Sequence, residues 1–195
     1  MVDPDVASML AFQRGDYDAF QGLVERHTEA LVSYFFFQSR DRQLAEDCSQ
    51  DVWLKVFKSR EDYQPRARFR TFLFRVARNH WIDRFRTRAR RPRETPLEGD
   101  GQDAESGGGP LDRLPAGGDD PDARVRRSDA ARTAARALQR LPEEMREVYI
   151  LAEVEELPYA EVADVLRIPL GTVKSRMFNA VRKLQEITRG FDEET

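Results

Sequence analysis

The chain has few of the residues that build disulfides and transition-metal sites. Its 195 residues include one cysteine, Cys48, and two histidines, His27 and His80, far apart in sequence. A single cysteine excludes an internal disulfide and favours a reducing compartment such as the cytoplasm. Structural metal sites usually need four closely spaced nitrogen or sulfur ligands, so we expect no metal and no cofactor.

Long hydrophobic runs are also missing. No apolar stretch approaches the length that spans a bilayer, and the start "MVDPDVASML" lacks the basic region and apolar core of a secretion signal. We therefore expect a cytoplasmic protein. Sustained apolar–polar alternation and Asn-Gly hairpin turns are absent too, which favours an all-α fold.

The net charge of −3 conceals two blocks of opposite sign. Between Gln64 and Arg93 there are eleven arginines and one acid, Asp83, whereas residues 94–122 contain nine acids and one base, Arg113. A polyanion can bind the first block without meeting the second, so net charge says little about partners.

The acidic segment predicts a boundary between two domains. Glycine, proline and acidic residues dominate it, and it cannot bury enough apolar surface to offset the entropy lost on ordering. We expect an N-terminal helical domain at 5–93, a flexible linker at 94–124 and a C-terminal helical domain at 125–190.

Helical spacing recurs through both predicted domains. In the first, Asp16 is expected to cap a helix, and further helices are expected at about 42–59 and 70–88, with a loop around Pro65. In the second, "SDAARTAARALQRL", "LPEEMREVYILAEV" and "PYAEVADVL" each predict a helix, with Pro158 near the start of the third.

The final stretch, "RIPLGTVKSRMFNAVRKLQ", completes the pattern of a helix-turn-helix. At 3.6 residues per turn, one arc of the last helix is apolar and predicted to face the core: Leu170, Val173, Met177, Val181 and Leu184. The arc outside it carries Lys174, Ser175, Phe178, Asn179 and Arg182. These side chains suit phosphates, base edges and thymine methyl groups. An ordinary solvated face would have a similar composition, but the preceding helix and turn favour DNA.

The motifs resemble those of bacterial RNA polymerase sigma factors, in the extracytoplasmic-function (ECF) group. "YAEVADVLRIPLGTVKSRMFNAVRKL" is similar to the group's helix-turn-helix for the minus-thirty-five promoter element. "AEDCSQDVWLKVFK" resembles its helix for binding core polymerase, and "FRTFLFRVARNHWIDRFRTRARR" resembles its helix for the minus-ten element. The three motifs occur in the family's order.

The resemblance implies roles for particular residues. The surface for core polymerase would comprise Asp47, Gln50, Asp51 and Lys55. The minus-ten contacts would comprise Tyr63, Gln64, Arg78, Asn79, Asp83, Arg84, Arg86 and Arg88, with Asn79 holding an unstacked base. The minus-thirty-five contacts would comprise Thr172, Lys174, Ser175, Arg176, Phe178, Asn179 and Arg182.

Several residues have a structural interpretation as well. Phe74 and Phe85 are expected in the core, His80 as a structural residue and Cys48 as a buried, inert thiol. Trp81 fits either the core or stacking on a base.

The resemblance implies a protein that binds core RNA polymerase, recognises promoter DNA and promotes its melting, without catalysing a reaction or using a small-molecule substrate. It leaves an anti-sigma partner open. A simple helix-turn-helix repressor would explain the C-terminal motif but not the other two. A metal-dependent nuclease would have to use the acids in "EDCSQD", whose helical spacing suits a protein contact better.

Overall fold

In the computed structural model, residues 3–90 and 121–192 are described, and all regular structure among them is helical. The N-terminal module contains four helices and a short 3-10 turn at Arg60–Asp62: α1 Pro4–Gln13, α2 Tyr17–Ser39, α3 Arg42–Lys58 and α4 Phe69–Arg90. The C-terminal module also contains four: α5 Pro121–Gln139, α6 Glu143–Tyr149, α7 Tyr159–Leu166 and α8 Leu170–Asp192. The prediction of an all-α fold is confirmed.

Aspartates start the first three helices by capping free backbone amides. Asp16 accepts a hydrogen bond from the Ala19 amide at 3.1 Å, and Asp41 accepts one from Leu44 at 3.0 Å. Asp3 does the same for Asp5 in α1, a helix that the sequence analysis did not predict. Asp3 also accepts from the Phe69 amide at 3.0 Å and so joins the start of α1 to the start of α4.

Aromatic side chains fill much of the N-terminal core. Phe74 is fully buried, as predicted, and Trp81 is 3% exposed with its ring 5.8 Å from that of Phe35. Trp81 is therefore a core residue in this state. Cys48 is buried as expected, and burial raises the pKa of its thiol to about 11, which keeps it protonated and unreactive. The Phe85 side chain lies outside the described part of the structure.

The C-terminal module differs from the sequence expectation in two details. Helix α5 begins at Pro121, four residues before the expected start of the domain, and proline suits a first helical turn. After α6 the chain continues as a π-helical segment, Ile150–Val154, and a left-handed residue, Glu156, follows. The wider π-helical turn changes the direction of the chain before α7.

The apolar arc predicted for α8 is partly wrong. Val173 and Met177 are buried as expected, but Leu170 is 43% and Val181 is 37% exposed, whereas Ala180 is fully buried. The helix is rotated so that the small residue Ala180 faces the core and Val181 is partly exposed. A helical wheel drawn from the sequence ranks positions by hydrophobicity alone and contains no information on how the neighbouring helices pack.

The two modules pack directly against each other, with α4 against α7 and α2 against α5 and the π-helical segment. Among the residues described, none of the helices is long and apolar enough to cross a membrane.

Candidate polymerase and nucleic-acid interfaces

Helix α3 presents the face predicted to meet core polymerase. Asp47, Gln50 and Lys55 are exposed, and the Asp51 side chain is 45% exposed. The N-terminal cap at Asp41 and the buried residues Cys48 and Val52 fix the orientation of this face. Leu54, which sequence reasoning missed, is 56% exposed in the middle of it. Its spacing from Gln50 and Asp51 was the available signal.

An apolar groove of about 630 Å³ lies beside that face, between α2 and α3. Its walls include Phe20, Val24, Trp53, Leu54 and Phe57, with Gln50 at its edge. Trp53 is held in place by a hydrogen bond of 3.0 Å from its indole nitrogen to the Thr28 hydroxyl. Exposed apolar side chains next to charged ones are typical of a protein-docking surface.

A cavity of about 360 Å³ lies beside the loop that connects α3 to α4. Tyr63 and Gln64 line it, as do Arg66 and Phe72, which sequence reasoning missed. The Tyr63 ring packs edge-on against Phe72 with centroids 4.9 Å apart, and burial raises the pKa of its hydroxyl to about 12. Arg66 donates two hydrogen bonds to the Gln64 side-chain oxygen, which orients that amide. The cavity thus combines aromatic surface with polar side chains, the two kinds of group that contact unstacked bases.

Other predicted minus-ten residues lie farther along α4. Asn79 and Asp83 are exposed on this helix, and Asn79 is not among the residues that line the cavity. Arg78 donates a hydrogen bond from Nε to Glu147 Oε1 of the C-terminal module at 2.9 Å. For Arg86 and Arg88, which belong to α4, the side chains lie outside the described part of the structure.

Asp51 links α3 to α4. Its Oδ2 lies 3.4 Å from His80 Nε2 and 3.8 Å from Arg84 Nη1. Burial lowers the pKa of His80, with further lowering by Lys55 and Arg84 against the opposing charges of Asp51 and Asp83. His80 is therefore neutral near pH 7 and acts as a structural residue, as predicted. Asp51, a predicted polymerase contact, and Arg84, a predicted minus-ten residue, therefore form an ion pair with each other.

The helix-turn-helix forms where the motif predicted it. Helix α7 starts after Pro158 and ends at Arg167, whose backbone is left-handed with a φ of 54°. The Ile168 amide donates to the Ala163 carbonyl at 3.2 Å, and Pro169 accepts hydrogen bonds from the Thr172 and Val173 amides, which starts α8. These contacts fix the angle at which α8 leaves the turn.

The outer face of α8 carries the predicted reading residues. Lys174, Ser175, Phe178 and Arg182 are exposed, and Phe178 is 68% exposed. Thr172 and Asn179 are half-buried at the edges of this face, and the Ser175 hydroxyl donates to the Thr172 carbonyl at 3.1 Å. Arg176 forms an ion pair with Glu144 of α6. An exposed phenylalanine among polar side chains suits contact with base edges and thymine methyl groups.

Comparisons with known proteins agree with this arrangement. The family described as "Sigma-70 region 2" matches residues 23–91, and "Sigma-70, region 4" matches residues 132–184. The chain is 29% identical over 168 residues to the RNA polymerase sigma-H factor of Pseudomonas aeruginosa, covering 86% of this chain and 85% of that protein. It is 30% identical over 173 residues to the ECF RNA polymerase sigma factor SigE of Mycolicibacterium smegmatis, covering 89% of this chain and 63% of that protein.

Two solved structures share the fold. CnrH in complex with the cytosolic domain of CnrY aligns with a TM-score of 0.67 at 23% identity, covering 96% of this chain and 99% of that chain. The sigma factor RpoE in complex with the anti-sigma factor NepR, from Bartonella quintana, aligns with a TM-score of 0.61 at 20% identity, covering 87% of this chain and 96% of that chain.

Proposed function

Because the chain belongs to the sigma-70 family of RNA polymerase sigma factors, in its ECF group, we propose that it directs core polymerase to promoters. It binds core RNA polymerase, recognises promoter DNA and promotes the melting that starts transcription. The observation that carries the proposal is the pairing, in one chain, of a cavity lined by Tyr63, Gln64 and Phe72 with the exposed face of α8.

The C-terminal module reads the duplex minus-thirty-five element. Lys174, Ser175, Phe178 and Asn179 face the bases, because the buried Val173 and Met177 fix which side of α8 points outward. Thr172, Arg176 and Arg182 lie nearer the phosphates and supply affinity without sequence choice.

The N-terminal module performs the two other tasks. The exposed face of α3 and its neighbouring groove bind core polymerase. The cavity lined by Tyr63 and Gln64 receives a base extruded from the minus-ten element, and Asn79 contacts that unstacked strand. The arginines of α4 bind the phosphates around it, where each contact releases condensed counterions.

The division of the chain follows from these roles. Residues 5–93 form the domain for polymerase and the minus-ten element, residues 94–120 the tether, and residues 121–190, from the start of α5, the domain for the minus-thirty-five element. The acidic tether acts inside the polymerase as a mimic of nucleic acid. An anti-sigma protein is a further partner, by analogy with the complex of RpoE and NepR. The protein acts in the cytoplasm and catalyses no reaction itself.

Transcription in vitro tests the proposal. Core polymerase from the source bacterium, with and without the purified chain, is given fragmented genomic DNA, and start sites are mapped. We expect a small set of starts that requires the chain and shares sequence near minus ten and minus thirty-five. Starts that do not change when the chain is added would contradict the proposal, as would tight promoter binding by the chain alone, the behaviour of a repressor.

A further inference from the structure

The residue that ends α7 has a backbone conformation that does not suit its type. Arg167 has a φ of 54° and a ψ of 46°, in the left-handed region. A left-handed residue after a helix lets the chain turn, and glycine usually occupies this position because a Cβ there crowds the backbone. Arginine therefore makes the turn less stable than glycine would. The turn explains the left-handed backbone but not the presence of an arginine.

The Arg167 side chain does not recover this cost within the protein. It is exposed, and among residues 3–90 and 121–192 its guanidinium has no hydrogen bond, ion pair or ring contact. Asp164, one turn earlier on α7, is exposed as well and does not pair with it. A cation gains from the negative end of the α7 dipole, but this effect is small at an exposed position. A partner outside the chain would account for the arginine.

The position of Arg167 beside the reading helix indicates which partner this is. Pro169, Leu170 and Gly171, which connect Arg167 to the outer face of α8, are all exposed. Apart from its chain neighbours and helix backbone, a Cβ added at Gly171 would meet nothing within 4 Å in the described structure, so the space beside the turn is open. A recognition helix presents its N-terminal part to the major groove. The turn before α8 therefore comes close to the DNA backbone that borders this groove.

The chemistry of the side chain favours a phosphate over a base edge. Arg167 precedes α8 and so stands outside the helix that enters the groove, at the level of the backbone. The guanidinium is always charged, and its planar fork binds a phosphate through two parallel hydrogen bonds. Arg176 is different, because Glu144 of α6 already holds its guanidinium. Arg167 can bind a phosphate without breaking a contact within the described structure.

We propose that Arg167 binds a DNA phosphate at the edge of the minus-thirty-five element, and that this contact offsets the unfavourable backbone conformation of the arginine. The proposal rests on the proposed function, because it takes α8 as the helix that reads this element. A phosphate contact adds affinity without sequence choice. Replacing Arg167 by glycine therefore changes two properties in opposite directions: the turn becomes more stable, and the affinity for promoters falls.

Promoter DNA with single uncharged phosphates tests the contact. Holoenzyme is assembled from core polymerase and the full chain, and its affinity is measured on a promoter mapped by transcription in vitro. Each duplex carries one methylphosphonate at a different position around minus thirty-five. At the contacted position the uncharged group should weaken binding of the wild type about threefold, because one charge contact is lost. Arg167→Gln holoenzyme should bind that duplex as well as the unmodified one, and Arg167→Lys should regain most of the difference.

Other results would overturn the contact. If the wild type and Arg167→Gln respond alike to the methylphosphonate at every position, Arg167 binds none of these phosphates. If Arg167→Gln weakens binding to core polymerase in a titration without DNA, the residue belongs to a polymerase surface instead. A separate control concerns the proposed function: if replacing the whole minus-thirty-five element leaves the affinity of the wild-type holoenzyme unchanged, α8 does not read this element.

A matched pair of glycine variants separates binding from stability. Arg40 ends α2 in the same left-handed conformation, with a φ of 61°, and is also exposed. Neither Arg167→Gly nor Arg40→Gly should lower the midpoint of thermal unfolding, because glycine suits both positions. Only Arg167→Gly should weaken promoter binding and reduce the slope of its salt dependence by about one. A lower midpoint with unchanged promoter affinity for Arg167→Gly would overturn the proposal, and so would equal losses of promoter affinity in both variants.

Discussion

Asn79 is exposed on α4, the helix whose Phe72 lines the cavity beside Tyr63 and Gln64. Its amide offers hydrogen-bond donors and an acceptor. A stacked, paired base cannot reach such a group, so its contribution starts when a base leaves the duplex. We expect Asn79→Ala to reduce promoter opening at least tenfold while closed-complex binding changes less than twofold.

Permanganate footprinting of the open bubble, beside a filter-binding assay, separates these two steps. Gln21→Ala removes an exposed amide on α2 and is the matched control. A normal bubble with Asn79→Ala on duplex promoters would show that this residue is an ordinary surface amide.

Base contacts and phosphate contacts on α8 have different consequences when removed. Ser175 and Asn179 are assigned to bases, so Ser175→Ala and Asn179→Ala should change which minus-thirty-five sequences are used, with ~1–3 kcal/mol lost at the contacted position. Arg182→Ala should weaken all sequences alike and reduce the salt dependence of binding.

A promoter library randomised at minus thirty-five, transcribed with each variant holoenzyme, distinguishes these outcomes. The assignment fails if the preferred sequence is the same for wild type, Ser175→Ala and Asn179→Ala.

At the scale of the element, α3 combines an acidic outer face with an apolar groove. Asp47 is exposed and its carboxylate accepts a hydrogen bond from Gln43 in the preceding turn, so reversing its charge leaves the core intact. We expect Asp47→Lys to weaken binding to core polymerase at least tenfold. Asp51→Lys should do the same and in addition disturb α4, because it places a second positive charge beside Arg84 in place of the Asp51 carboxylate.

A titration against immobilised core polymerase measures this effect. Glu25→Lys reverses an exposed acid on α2 and is the matched control. Equal affinities for wild type and Asp47→Lys would place the docking surface elsewhere on the module.

At the scale of the whole molecule, Glu155 makes the packing of the two modules depend on pH. It is 4% exposed, and burial raises its pKa to about 7, although hydrogen bonding by Ser33 and the charge of Arg70 oppose the shift. Glu156, beside it in the chain, and Glu29, on α2, raise the pKa further. Separation of the modules returns Glu155 to water, where its pKa falls toward the usual value near 4.5.

The sign of the effect follows from that difference. Glu155 binds a proton more tightly when the modules are packed together than when they are separated. The protonation of Glu155 therefore stabilises the packed arrangement fully below pH 4.5, and this stabilisation is lost as the pH rises through 7. We expect the fraction of molecules whose two modules are separated to increase by about two orders of magnitude between pH 5 and pH 8. Burial also raises the pKa of Glu147, which adds to the slope in the same direction.

The reactivity of a buried thiol at Thr71→Cys, corrected for the titration of the reagent, measures opening across this range. Glu155→Gln should keep the chain closed at high pH and flatten most of the slope, whereas Glu153→Gln should retain it. An unchanged pH profile with Glu155→Gln would remove Glu155 as the responsible group.

Much of this molecule follows from local rules that a sequence carries by itself. Aspartates at 16 and 41 cap helices wherever the tertiary fold places them, because the bonded amides are three residues away. The turn between α7 and α8 is equally local. The outward position of Phe178 follows from period 3.6 once Val173 and Met177 are inside.

Other features depended on groups that meet only in three dimensions. The burial of Ala180 instead of Val181 depends on how α8 packs on the other helices of its module. The burial of Trp81 depends on α2, which places Phe35 beside it. Arg78 and Glu147 are separated by the whole acidic segment, and no periodicity connects them. Their pairing, and the raised pKa of Glu155, required the two modules to be brought together. Charge and desolvation act through space, so only the tertiary structure could decide which arginine meets which carboxylate.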